Sequence, residues 1–109
     1  MKNVVFSTHV EKDLLLLVDI LIDEGYISTY PIAVKYVDDL IDYILEHIEI
    51  ALCKPVPAFF NKYGNNMKYM MYQRSNHITW YIMFEEFEEC FFVKYITNNK
   101  YEGQYFNVE

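Results

Sequence analysis

The sequence predicts a single α+β domain over residues 1–109, with an N-terminal strand and an antiparallel helical hairpin packed on a three- to four-stranded, mainly antiparallel sheet. Three observations carry that expectation. In the first half, apolar residues recur at three- and four-residue spacing, the period of amphipathic helices. In the second half, three runs dense in Tyr, Met, Ile, Phe and Trp follow one another, the composition of strands. The 109 residues are 53% hydrophobic and 18% aromatic, enough for one core and far from the signature of disorder.

Val4-Val5-Phe6 is short, β-branched and aromatic, and reads as the opening strand. Thr8-x-x-Glu11 reads as a capping box that starts the first helix. Leu14, Leu17, Val18, Leu21 and Ile22 form its apolar stripe, and Gly25 fits its C-terminal cap. Pro31 stands where proline is tolerated, in the first turn of a second helix whose stripe is Val37, Leu40, Ile41, Ile44, Leu45 and Ile48, with Lys54-Pro55 as its stop. Gly64-Asn65-Asn66 signals a turn, and strands are expected near 67–74, 77–85 and 90–97. Ser75-Asn76 suits a tight hairpin turn, so the strands form a meander that the N-terminal strand joins at its edge or centre. The tail from Asn98 holds Gly103 and three aromatics, the composition of a segment packed back on the domain.

Ser7, Thr8 and His9 follow the first strand at once, leaving no apolar region for a secretory signal, so a cytoplasmic protein is expected. The longest apolar stretch, Leu14 to Ile22, is broken by Asp19 and is about half the roughly 20 residues of a membrane span. Cys53 and Cys90 lie far apart and outside any metal or redox spacing, and are read as buried free thiols. His9 with Asp13, one turn on, is a helix-surface pair, and His47 complements a helix C-terminus; no metal or cofactor is assigned.

The formal charge is −7, against nucleic-acid binding at first sight. Its distribution is uneven. Residues 1–53 hold ten acids against Lys2, Lys12 and Lys35, whereas residues 54–109 are balanced. From Lys54 to Phe84 the chain carries Lys54, Lys62, Lys68 and Arg74 with no acid, a local basic patch in an acidic protein.

The element order, together with four phrases, resembles the RelE/ParE toxin superfamily of type II toxin–antitoxin (plasmid stabilisation) systems. Val4-Val5-Phe6-Ser7-Thr8-His9-Val10-Glu11-Lys12-Asp13-Leu14 is similar to that family's opening strand and helix, and Ala33-x-x-Tyr36-Val37-x-x-Leu40 to its second helix. Trp80-Tyr81-Ile82 in the middle strand and Tyr95-Ile96-Thr97-Asn98-Asn99 after the last one are similar to a branch of small members. The resemblance covers essentially the whole chain. It implies a cognate antitoxin as partner and one of two activities, inhibition of DNA gyrase or ribosome-dependent cleavage of mRNA.

Cleavage would proceed by in-line attack of a 2′-hydroxyl on the adjacent phosphate, and needs cations and a proton-transfer group. The resemblance places Lys68 among the family's strand lysines and Tyr105 at its C-terminal tyrosine; Arg74, on Lys68's face by alternation, is a second phosphate contact. Where the family often carries Tyr-Arg in the middle strand, this chain has His77-Ile78, which leaves His77 or Arg74 as substitutes. The plain alternative is that these charges are solvated and that most of the aromatics fill the sheet. The acidic hairpin and missing arginine favour a toxin-like protein that works by binding. The competing readings are an endoribonuclease using Lys68, Arg74, His77 and Tyr105, and a non-toxic interaction or homodimerisation module. More Tyr and Phe than a small core can bury implies a partner surface.

Overall fold

The computed structural model describes residues 2–106. The chain runs β1 (Asn3–Phe6), α1 (Thr8–Asp23), α2 (Tyr30–His47), β2 (Lys54–Pro55), a 3₁₀ segment (Ala58–Tyr63), β3 (Lys68–Gln73), β4 (Thr79–Glu86), β5 (Cys90–Asn98), α3 (Asn99–Glu102) and a final 3₁₀ turn (Gly103–Phe106). It is the expected α+β architecture. The sheet has five strands in the order β1-β5-β4-β3-β2; β1 lies at the edge, parallel to β5, and the other neighbours are antiparallel. The fifth strand is the two-residue β2, made by Lys54-Pro55, where the sequence predicts only the stop of the second helix. Helix α2 ends earlier, at His47, because Ile50 and Ala51 turn back onto the His47 carbonyl.

Local signals explain the helix ends. The N-cap of α1 is Ser7, not Thr8: its hydroxyl accepts the Val10 amide and its carbonyl the Glu11 amide. At the other end Gly25 has φ +78°, the Tyr26 amide returns to the Leu21 carbonyl and the Gly25 amide to Ile22. That is a Schellman cap, and it turns the chain sharply into α2. Between β3 and β4 the loop is wider than a two-residue turn: the Arg74 and Ser75 amides both reach the Ile78 carbonyl, and the Ser75 hydroxyl accepts from His77 and Ile78.

The sheet is covered on both faces. On one, Val10, Leu14, Val18 and Leu21 of α1 and Ala33, Val37, Leu40 and Ile44 of α2 bury against Met70, Trp80, Ile82, Phe84, Phe91 and Val93. On the other, Phe60, Met67 and Met83 are buried beneath an aromatic cap of Tyr63, Tyr69, Tyr81, Tyr95, Tyr105 and Phe106. A register shift opposite Met83 and Phe84 leaves Lys94 of β5 without a Cα partner. The extra residue turns Tyr95 to the aromatic face while Val93 and Ile96 stay against the helices. Both cysteines are free and only half-buried, not fully buried as expected.

Candidate functional site

Alternation along β3 does put Lys68, Met70 and Tyr72 on one side, but that side is the one the helices cover, since Met70 is fully buried in the helix-facing core. Lys68 and Arg74 stand at opposite ends of the strand, six residues apart, which is about 20 Å of extended chain. Each has its own acid. The Lys68 ammonium donates to Glu86 Oε1 at 3.0 Å, and Lys2 donates to Glu86 Oε2 at 2.6 Å. The two lysines hold the Glu86 carboxyl below the usual carboxylate range, and Glu86 in turn raises Lys68. Lys2, Lys68 and Glu86 line a hollow that Cys53 borders; the Cys53 thiol is pushed up, first by burial, so it is a poor nucleophile there.

Arg74 is built into the packing between sheet and α2. Its guanidinium lies 4.1 Å from the centre of the Tyr36 ring, donates to the Tyr72 hydroxyl at 3.1 Å and meets Asp39 at 3.5 Å. Tyr36 accepts from the Trp80 indole at 3.0 Å, and Tyr72 stacks on Tyr43, which stacks on His47. His47 Nδ1 donates to the Tyr43 carbonyl at 2.9 Å, the C-terminal role its position suggested. His9 pairs with Asp13 at 3.1 Å.

His77 is exposed at the tip of the β3–β4 loop, where its carbonyl accepts from the Asn99 side chain. Tyr105 is on the opposite face of the sheet, stacked on Phe59 at 3.6 Å. Among the four residues singled out in the sequence, then, Arg74 and His77 share one end of the molecule, Lys68 the other, and Tyr105 the far face. They do not converge on one phosphate-sized space. The Tyr95 to Asn99 phrase is structural at three of its positions. Tyr95 donates to Glu102 at 2.6 Å and is driven well above the ordinary tyrosine range, chiefly by burial and then by Glu102 and Tyr63. Asn98 caps α3 by accepting from Lys100 and Tyr101, and Asn99 accepts from the Thr79 amide, pinning β4 to the tail.

What periodicity missed is how much apolar surface the hairpin leaves uncovered. Leu15 is 75% exposed, Leu16 55%, Tyr30 60% and Leu45 49%. A stripe of buried residues at α1 positions 10, 14, 18 and 21 is narrow, so leucines in the unbroken run 14–17 fall on its flanks. Among the concavities that result are the following two. One, between α1 and the end of the sheet, is a hollow of about 150 Å³ walled by Leu17, Ile20, Tyr36, Ile78, Trp80 and Tyr101. The other, a groove of about 660 Å³ along the seam of α1 and α2, is lined by Phe6, Leu15, Val18, Tyr30, Val34 and Ile41 and edged by Glu11 and Asp38.

Among the described residues, no group of three or more His, Cys, Asp or Glu could hold a metal ion, and no helix is long and apolar enough to cross a membrane. In comparisons with family models, curated proteins and solved structures, none matches this chain.

Proposed function

We propose that the chain is the toxin-like component of a type II toxin–antitoxin pair of RelE/ParE kind, that it acts by binding a cellular target in the manner of the gyrase inhibitors, and that a cognate antitoxin neutralises it. The observation that carries the binding mode is the uncovered apolar surface of the helical hairpin, Leu15, Leu16, Tyr30 and Leu45, on a chain whose candidate catalytic side chains are scattered, with Lys68, Arg74 and Tyr105 engaged elsewhere. Exposed apolar surface of this kind on a small domain marks a partner site. The family assignment is supported by the order strand, helical hairpin, antiparallel meander and packed tail, on which the sequence resemblance rests.

The test is growth of bacteria after tightly controlled induction of the chain alone, beside a Lys68→Ala/Arg74→Ala/Tyr105→Phe variant, with supercoiling by purified gyrase measured in parallel. The expected result is arrest, loss of supercoiling and no cleavage of ribosome-bound mRNA. Arrest with mRNA cleavage that the triple variant abolishes would replace this reading with the nuclease; absence of arrest would replace it with a non-toxic interaction module.

A further inference from the structure

We infer that the seam groove of α1 and α2 is the docking site for an amphipathic helix that carries lysine or arginine along its flanks, supplied by a protein partner. The inference rests on the proposed binding function and names the chemistry of the partner.

The floor of the groove is apolar. Phe6 rises at one end from β1, Val18 and Leu15 come from α1, and Tyr30, Val34 and Ile41 from α2; Leu45 lies one turn beyond Ile41 on the same flank. Three of these, Leu15, Tyr30 and Leu45, are about half or more exposed, although exposure of such side chains is costly when they adjoin one another. The lining on α2 runs from Tyr30 to Ile41, about 17 Å, so the trough takes about three turns of a partner helix. A helix inserting side chains at i, i+3/i+4 and i+7 is the form of ligand such a trough accepts.

Charge selects the occupant. Glu11 and Asp38 stand at the edges of the groove; Asp19 lies about two turns beyond Glu11 and Asp42 about one turn beyond Asp38, on the outer flanks of the same helices. None of the four has an ion-pair partner among the described residues, whereas Asp13 has one and Asp39 and Glu86 have two each. The whole formal charge of −7 belongs to residues 1–53, which contain this hairpin. A second copy would set the same uncompensated acids against each other, and RNA, DNA or an anionic membrane would be repelled. A cationic helix is attracted by the rim and covers the floor.

The probe is a synthetic peptide of about sixteen residues with Leu at the a and d positions and Lys elsewhere, titrated into the full chain by calorimetry and mapped by amide chemical shifts. Two control peptides, one with Glu for Lys and one with the same composition in non-amphipathic order, separate groove binding from plain charge attraction. Expected are shifts confined to α1, α2 and Phe6, at least tenfold weaker binding of both controls, at least tenfold loss in Leu15→Asp and in Glu11→Lys/Asp38→Lys, and weakening with salt. Leu15, Glu11 and Asp38 are exposed or rim residues, and unchanged circular dichroism verifies that the variants fold. Absence of binding, equal binding of the scrambled peptide, shifts outside the hairpin, or self-association of the chain through this face would overturn the proposal. Growth arrest without peptide binding would remove the groove proposal and leave the toxin reading; peptide binding without any effect on growth would do the reverse.

Discussion

Arg74 offers the sharpest separation between a structural cation and a phosphate contact. In Arg74→Ala the Tyr36 ring loses a cation 4.1 Å from its centre, worth roughly 1 kcal/mol in a partly desolvated site. The Tyr72 hydroxyl loses a charged donor at 3.1 Å, worth about 1.5 kcal/mol. The contact with Asp39 at 3.5 Å is half-solvated and shared with Lys35, so it adds at most about 0.5 kcal/mol. The side chain is 23% exposed, and little of the lost packing is replaced by solvent. A loss of about 2 to 3 kcal/mol follows, which for a domain of this size lowers Tm by roughly 8 to 12 °C. Urea denaturation followed through Trp80, the sole tryptophan and a hydrogen-bonded neighbour of Tyr36, reads the change directly. In a double-mutant cycle with Tyr36→Leu the two losses should be strongly non-additive. A variant within about 0.5 kcal/mol of the parent would refute the reasoning, and if it also lost activity it would return Arg74 to the role of a phosphate contact.

The aromatic cap predicts that Phe60→Ala, at a fully buried position between Tyr63, Tyr95 and Phe106, costs about 3–5 kcal/mol and leaves a marginal domain, measurable as a lowered urea midpoint. Gly25→Ala meets no atom within 4 Å, so its cost is the left-handed backbone alone, about 1 kcal/mol, and Gly25→Asn should recover part of it. Tyr95 predicts a pH dependence. Its hydroxyl is held protonated by burial and by donation to Glu102, so its folded pKa lies above the unfolded value and its contribution is complete below about pH 10 and lost as pH rises beyond it. Tyr95→Phe should therefore narrow the fall in stability between neutral pH and the alkaline range; an unchanged fall would show that this tyrosine is not the titrating group.

How much of this could be read from the chain depends on the range of the forces involved. The strand positions, the glycine cap and Pro31 in the first turn of α2 are local decisions of backbone and periodicity, and the residues that make them announce themselves. The Thr8-x-x-Glu11 spacing points to Thr8 as the cap, whereas the residue three after Ser7 is Val10, whose amide the Ser7 hydroxyl accepts; that bond is not visible in the residue pattern. Lys54-Pro55 looks like a helix stop because proline is a breaker. It pairs instead with β3, where an edge strand leaves Pro55 no ladder bond to donate toward solvent. The bulge at Lys94 has no sequence signature, yet it decides which face Tyr95 serves.

The candidate site was the least legible part, and the reason is geometrical. Alternation on β3 gathers Lys68, Tyr72 and Arg74 on one face, but sequence does not say which face the helices occupy. A catalytic constellation needs its groups held within a few ångströms of a single reacting atom. Here two such cations lie at the ends of a covered strand, and Tyr105 closes an aromatic stack on the other side. To bring Tyr105 and Lys68 to one phosphate the final 3₁₀ turn would have to leave Phe59, Phe60 and Tyr81, uncovering Phe60, Met67 and Met83. Nothing of that kind is asked of the hairpin, whose apolar flanks and unpaired acids stand at the surface already. A ligand that covers surface without rearranging the sheet is the less costly event, and that difference in cost is the ground on which the proposed binding function rests.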